Sequence, residues 1–156
     1  MSSSDGPVVL VTGGCGYIGT HTITILLQKG YSVVVVDNLI NSSAIALDRV
    51  SEIVGLSEDD RKKRLIFHNV DICDEAAFRK VFESSPKFIS AIHFAGLKVR
   101  DRMCGCIFAN ECRSVSCARH IERYECKGTL TTCPFYALGR LSEKVLAFPS
   151  STMITT

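Results

Sequence analysis

The stretch VVLVTGGCGYIG, from Val8 to Gly19, restricts the fold more than any other part of the chain. PVVLVTG is a short run rich in β-branched residues, suited to a strand buried on both faces. Tyr17 to Lys29 then reads as a helix, with Ile18, Thr22, Ile25 and Leu26 on one face and Lys29 with Gly30 at its end. Gly13, Gly16 and Gly19 fill the tight connection. A strand that turns within a few glycines into a helix implies a parallel layer with the helix packed back on it.

The alternation continues. SVVVVD reads as a second strand, and Ser42 or Ser43 is placed to cap a second helix on which Leu47, Val50 and Val54 recur before Gly55 stops it. SEDDRKKR, Ser57 to Arg64, reads as a charged surface connection. LIFHNV is a third strand, Asp74 caps a third helix with Phe78, Val81 and Phe82 inward, and Pro86 ends that segment. FISAIHFAG is a fourth strand with its turn. The expected fold class is α/β: a Rossmann-like parallel sheet with helices on both faces and right-handed crossovers, incomplete beyond the fourth strand.

Each glycine of the turn has a physical reason. Gly13 permits the tight bend, Gly16 lets a pyrophosphate approach without meeting a Cβ, and Gly19 lets the helix pack close. The helix N-terminus offers free N–H groups to phosphate. Asp37 ends the second strand, 18 residues after Gly19, where its carboxylate can accept from the adenosine ribose hydroxyls. A 2′-phosphate would meet like charge, at a cost of roughly 4 kcal/mol per charge pair at ~4 Å and an effective dielectric of ~20. NAD is therefore expected over NADP. Cys15 is read as a small residue filling the turn.

Composition removes other classes. The 156 residues carry a formal net charge of +2, too small to suggest a nucleic-acid or membrane partner, and 46% hydrophobic residues suffice for a packed core. No apolar run approaches the ~18 residues of a membrane span. MSSSDGP has no basic region followed by an apolar one, so a cytoplasmic location is expected. Six of the eight cysteines lie after residue 99. A zinc site from Cys104, Cys106, Cys112, Cys117 and His120 is disfavoured by their irregular spacing and by the absence of any C-x-x-C pair, so no metal is expected.

T-G-x-x-G-x-x-G, Thr12 to Gly19, is the spacing of the extended short-chain dehydrogenase/reductase superfamily. VLVTGGCGYIGTHT, VVDNLINS, VDICD and AIHFAGLK make residues 7 to 98 resemble the UDP-glucose (UDP-galactose) 4-epimerase family, with GTHT and ALDRVSEIVG plant-like. The resemblance implies NAD contacts at Gly13, Tyr17 and Ile18 near the pyrophosphate, beside the turn glycines Gly16 and Gly19. It implies Asp37, Asn38, Asn41 and Ser42 at the adenosine ribose, and Asp71 and Ile72 at the adenine edge. Phe94, Ala95, Gly96 and Lys98 would line the middle of the cofactor. It further implies interconversion of UDP-glucose and UDP-galactose, with hydride passing between C4 of the sugar and bound NAD through a 4-keto intermediate. A tyrosine base, a lysine four residues later and a serine assist. The intact family enzyme is commonly homodimeric.

The resemblance breaks after Lys98. The four tyrosines are followed, four residues on, by His21, Val35, Gly128 and Arg140, so no Tyr-x-x-x-Lys pair exists. Arginine is a poor substitute for that lysine. YECKGT keeps a tyrosine and GT of the family pattern, and VLAFPSSTMITT resembles a fifth strand and serine motif, with Ser151 at the catalytic serine. Residues 1–156 are thus expected to form a single NAD-binding domain, matched over 7–98 and divergent, Cys-rich and truncated before the UDP-sugar domain over 99–156. Weak or absent NAD affinity and no catalysis are expected. The alternatives are an NAD-binding or structural remnant, and another NAD-dependent nucleotide-sugar epimerase or dehydratase.

Overall fold

A computed structural model of the chain describes residues 6–96 and 129–131. The elements run β1 (Val8–Thr12), α1 (Tyr17–Gln28), β2 (Ser32–Asp37), α2 (Ile45–Val54), α3 (Glu58–Arg64), β3 (Leu65–Asn69), α4 (Glu75–Ser84), β4 (Phe88–His93) and β5 (Thr129–Thr131). The five strands form one sheet in the order β3-β2-β1-β4-β5, every pair parallel. The α/β class and the four strands expected up to Gly96 are as observed. The strand beside β4 is Thr129–Thr131, which the sequence pattern did not single out; Val145 to Phe148 lie outside the described residues.

Side-chain alternation divides the sheet into two cores. Leu10, Val34, Val36 and Ala91 face α4, where Phe78, Val81 and Phe82 meet them. Val9, Val11, Val33 and Val35 face α1 and α2, meeting Ile23, Leu27, Leu47 and Val50. A valine run buried at every position of β2 is what a strand covered on both faces requires. The inward face of α1 is Gly19, Ile23 and Leu27, whereas Ile18 and Ile25 are 60% and 56% exposed. The face expected from Ile18 and Ile25 is therefore corrected. Gly19 sets the rotation, because only the side without a Cβ can lie against the glycine turn.

Two connections also differ from expectation. Ser57 to Arg64 contains α3, although none of its residues is buried. Local terms favour the helix: the Ser57 hydroxyl accepts from the Asp60 N–H, Glu58, Asp59 and Asp60 fill the first turn, and four basic residues fill the last, of which Arg64 also donates to the Leu27 and Tyr31 carbonyls at and beyond the end of α1. Arg61 pairs with Asp48 of α2. Ser42 does not cap α2, whose N-cap is Ala44 without a side-chain bond. Asp74 caps α4 as expected, accepting from the Ala76 and Ala77 N–H groups. Gly55 ends α2 in the left-handed region at φ +73°. Among the described residues no helix is long and apolar enough to cross a membrane.

Candidate dinucleotide-binding site

The sheet order places the crevice. β1 is followed by β2 on one side and flanked by β4 on the other, so the chain reverses direction of progress at the β1–β4 boundary. Ligands of open parallel sheets sit beyond the carboxyl ends of the strands at such a point. The glycine turn follows β1 there, Asp37 ends β2, and Phe94 to Gly96 follow β4.

The turn is tightly built. Gly13 adopts φ +69°, and a Cβ on it would lie 2.5 Å from the Ala95 nitrogen. A Cβ on Gly19 would lie 2.6 Å from the Gly13 carbonyl oxygen and 2.7 Å from the Gly14 Cα. Gly19 therefore lets α1 close on the turn itself, a sharper role than packing on the strand. Gly16 differs: a Cβ there would meet only the Gly13 oxygen, at 3.3 Å. Its outer side is open, which suits close approach by a ligand.

The start of α1 carries no side-chain cap and no acid in its first turn, unlike α3 and α4. Orphan N–H groups and the helix dipole there are available to an anion. Tyr17 and Ile18, at this end, are exposed. The donor set, the open side of Gly16 and the carboxylate beyond it fit a dinucleotide.

Asp37 is 7% exposed and accepts three hydrogen bonds, leaving one acceptor position on Oδ2 open. Its Oδ2 accepts from the Cys15 N–H at 3.0 Å; its Oδ1 accepts from the Leu39 N–H at 2.9 Å and the Ser42 hydroxyl at 2.8 Å. Among the described residues Leu39 is the non-glycine residue with positive φ, +58°, so the loop bends sharply around the carboxylate. Ser42 thus serves the Asp37 side of the site instead of capping α2. Asn38 donates to Oδ2 of Asp71 at 2.9 Å, while Oδ1 of Asp71 accepts from the Cys73 N–H. These bonds bring the ends of β2 and β3 together. Asn41 is exposed beside them. Ile72 is buried in the α4 core, so its side chain packs inward. Phe94 and Ala95 are half-buried against the two cores. Lys98, Ser151 and the cysteines considered for zinc lie outside the described residues.

Burial, with the Asp37 charge adding to it, pushes the Cys15 thiol up to about 12. It is a packed thiol, in keeping with the reading from sequence. One pair escaped the sequence: Thr12 Oγ1 lies 2.6 Å from His93 Nδ1, both groups buried. Burial lowers the His93 pKa to about 4. The available signal was alternation, which sets His93 in the core row of Ala91.

A family model described as GDP-mannose 4,6 dehydratase matches residues 10–104. The chain is 56% identical over 90 residues to UDP-glucose 4-epimerase 2 of Arabidopsis thaliana, and 52% identical over 90 residues to a UDP-glucose 4-epimerase of Schizosaccharomyces pombe. The matches take in 58% of this chain but 24% and 23% of those proteins, so the chain spans about a quarter of their length. Among solved structures, the Bifidobacterium longum UDP-glucose 4-epimerase in complex with NAD+ and UDP superposes with a TM-score of 0.68 at 34% identity, covering 80% of this chain and 36% of that one. The Stenotrophomonas maltophila UDP-glucose-4-epimerase with bound NAD and formylated UDP-arabinopyranose gives a TM-score of 0.69 at 28% identity, over 80% and 36% of the two chains. The glycine turn, the acid ending β2 and these similarities agree: the chain belongs to the GDP-mannose 4,6-dehydratase family, within the extended short-chain dehydrogenase/reductases and close to the UDP-glucose 4-epimerases.

Proposed function

We propose that this chain provides the NAD-binding portion of a UDP-glucose 4-epimerase, the enzyme type that interconverts UDP-glucose and UDP-galactose, and works in the cytoplasm. The observation that carries the reading is Asp37, held by Cys15, Leu39 and Ser42 at one edge of the uncapped glycine turn. The N-terminus of α1 with Gly13, Gly16, Tyr17 and Ile18 faces the pyrophosphate. Asp37, Asn38, Asn41 and Ser42 hold the adenosine ribose, and Asp71 with the main chain of Ile72 borders adenine. Phe94, Ala95, Gly96 and Lys98 line the middle of the cofactor. Bound NAD supplies the hydride acceptor of this chemistry.

The 156 residues themselves do not catalyse. They contain no Tyr-x-x-x-Lys pair, so the base and the cation that lowers its pKa are missing, even with Ser151 as a serine partner. Calorimetry of the purified chain tests the reading. NAD is expected to bind with a dissociation constant roughly in the tens to hundreds of micromolar, and NADP more weakly. No interconversion of the UDP-sugars is expected. Absence of saturable NAD binding overturns the cofactor reading, and turnover abolished by Ser151→Ala overturns the second statement.

A further inference from the structure

We infer that His93 is a positioning residue for the dinucleotide, setting the β1–β4 crevice through its hydrogen bond to Thr12. The inference rests on the NAD reading above. Thr12 and His93 are the last residues of their strands and are register partners across the β1–β4 pair. They therefore lie directly beneath the point where the sheet opens for a ligand. Each continues an apolar row, Thr12 after Leu10 and His93 after Ala91, where a hydrophobic pair would avoid desolvating polar atoms. The polar pair sits instead at the last paired position of the two strands, and its hydrogen bond ties their ends.

The surrounding backbone has little slack. Thr12 O accepts from the Phe94 N–H at 2.9 Å, and the Gly13 N–H donates to Val36 O at 2.7 Å. Gly13 and Ala95 approach so closely that a Cβ on Gly13 would overlap Ala95. A shift of the β4 end therefore moves Phe94 to Gly96 against the glycine turn, changing the crevice on its pyrophosphate and nicotinamide sides. Asp37, anchored at β2, would be left in place. The imidazole is neutral at ordinary pH because burial lowers its pKa to about 4. The contact holds in either tautomer, the hydroxyl donating to a bare Nδ1 or accepting from a protonated one.

The test uses the full chain and compares NAD with AMP, which needs only the adenosine side. Thr12→Val and His93→Leu are expected to weaken NAD about tenfold while leaving AMP within about twofold, and Thr12→Ser to keep both within about twofold. Equal loss of NAD and AMP, or no recovery with Thr12→Ser, overturns the inference, since a merely structural pair would act on both ligands. Nitrogen NMR of the wild-type His93 ring covers the case in which variants do not fold. Its resonances are expected to move with NAD and stay with AMP, and a ring silent to bound NAD overturns the inference alone. If the wild type takes up neither ligand, the cofactor reading fails and the inference with it.

Discussion

The Cys15 N–H donates to Oδ2 of Asp37 at 3.0 Å, joining the middle of the glycine turn to the end of β2. One carboxylate thereby fixes two walls of the candidate site, because Oδ1 holds Leu39 and Ser42 of the next loop. Asp37→Ala strips the acceptor from two backbone N–H groups and a hydroxyl. Urea unfolding is expected to show a loss of about 2–4 kcal/mol. Calorimetry on the same variant is expected to show the preference for NAD over NADP shrinking, as the negative charge facing a 2′-phosphate is gone.

Gly13 and Gly55 share a positive φ but not their surroundings. Nothing lies within 4 Å of a Cβ on Gly55, whereas one on Gly13 meets Ala95 backbone. Gly55→Ala is expected to cost about 1 kcal/mol, the conformational penalty alone. Gly13→Ala adds a clash that only main-chain movement relieves, and its cost is expected to exceed about 3 kcal/mol. Equal shifts in the two urea midpoints would refute the close approach at Gly13.

Stability is expected to fall in mild acid. His93 titrates near 6.5 when unfolded and at about 4 when folded. Between those values the unfolded chain binds the extra proton, so stability rises with pH across the window and is fully present above about 6.5. The difference is about 3 kcal/mol, and burial of His68 acts in the same direction. Urea midpoints recorded from pH 4 to 7 check this, with His93→Leu flattening the profile.

The thiols offer a simpler comparison. Cys73 is exposed, while Cys15 is buried with its pKa raised to about 12. Alkylation at pH 8 and peptide mapping are expected to show Cys73 labelled quickly and Cys15 only on unfolding. Rapid labelling of Cys15 in the native protein would mean that the turn opens.

Legibility in the sequence tracks the range of the forces involved. Apart from α3, strand and helix positions up to His93 were legible because burial on both faces imposes continuous apolar runs, and because Asp74 and Gly55 are local signals. The glycine turn with Asp37 was legible because backbone shape dictates its residue types. The orientation of α1 was not: Ile18 and Ile25 outnumber the small inward residue, and only contact with the turn shows that Gly19 must face in. α3 was missed because it buries nothing, although Ser57 with Asp60, and acids preceding bases, announce a helix. The role of Ser42 depended on where Asp37 lies, and Thr12 with His93 on a pairing across 81 positions of sequence.

The strand order also bears on how the chain reaches this state. β1 comes first in sequence yet lies in the middle of the sheet, and one of its neighbours, β4, is formed only after four helices and two further strands. Until β4 docks, Val9, Leu10 and Val11 stand along an unsatisfied hydrogen-bonding edge. Parallel pairing between such distant segments closes slowly, and an open apolar edge recruits strands from other molecules. A nascent chain halted before Phe88 is thus an aggregation-prone species, and the turn that would grip a cofactor stays half-built until its far wall arrives.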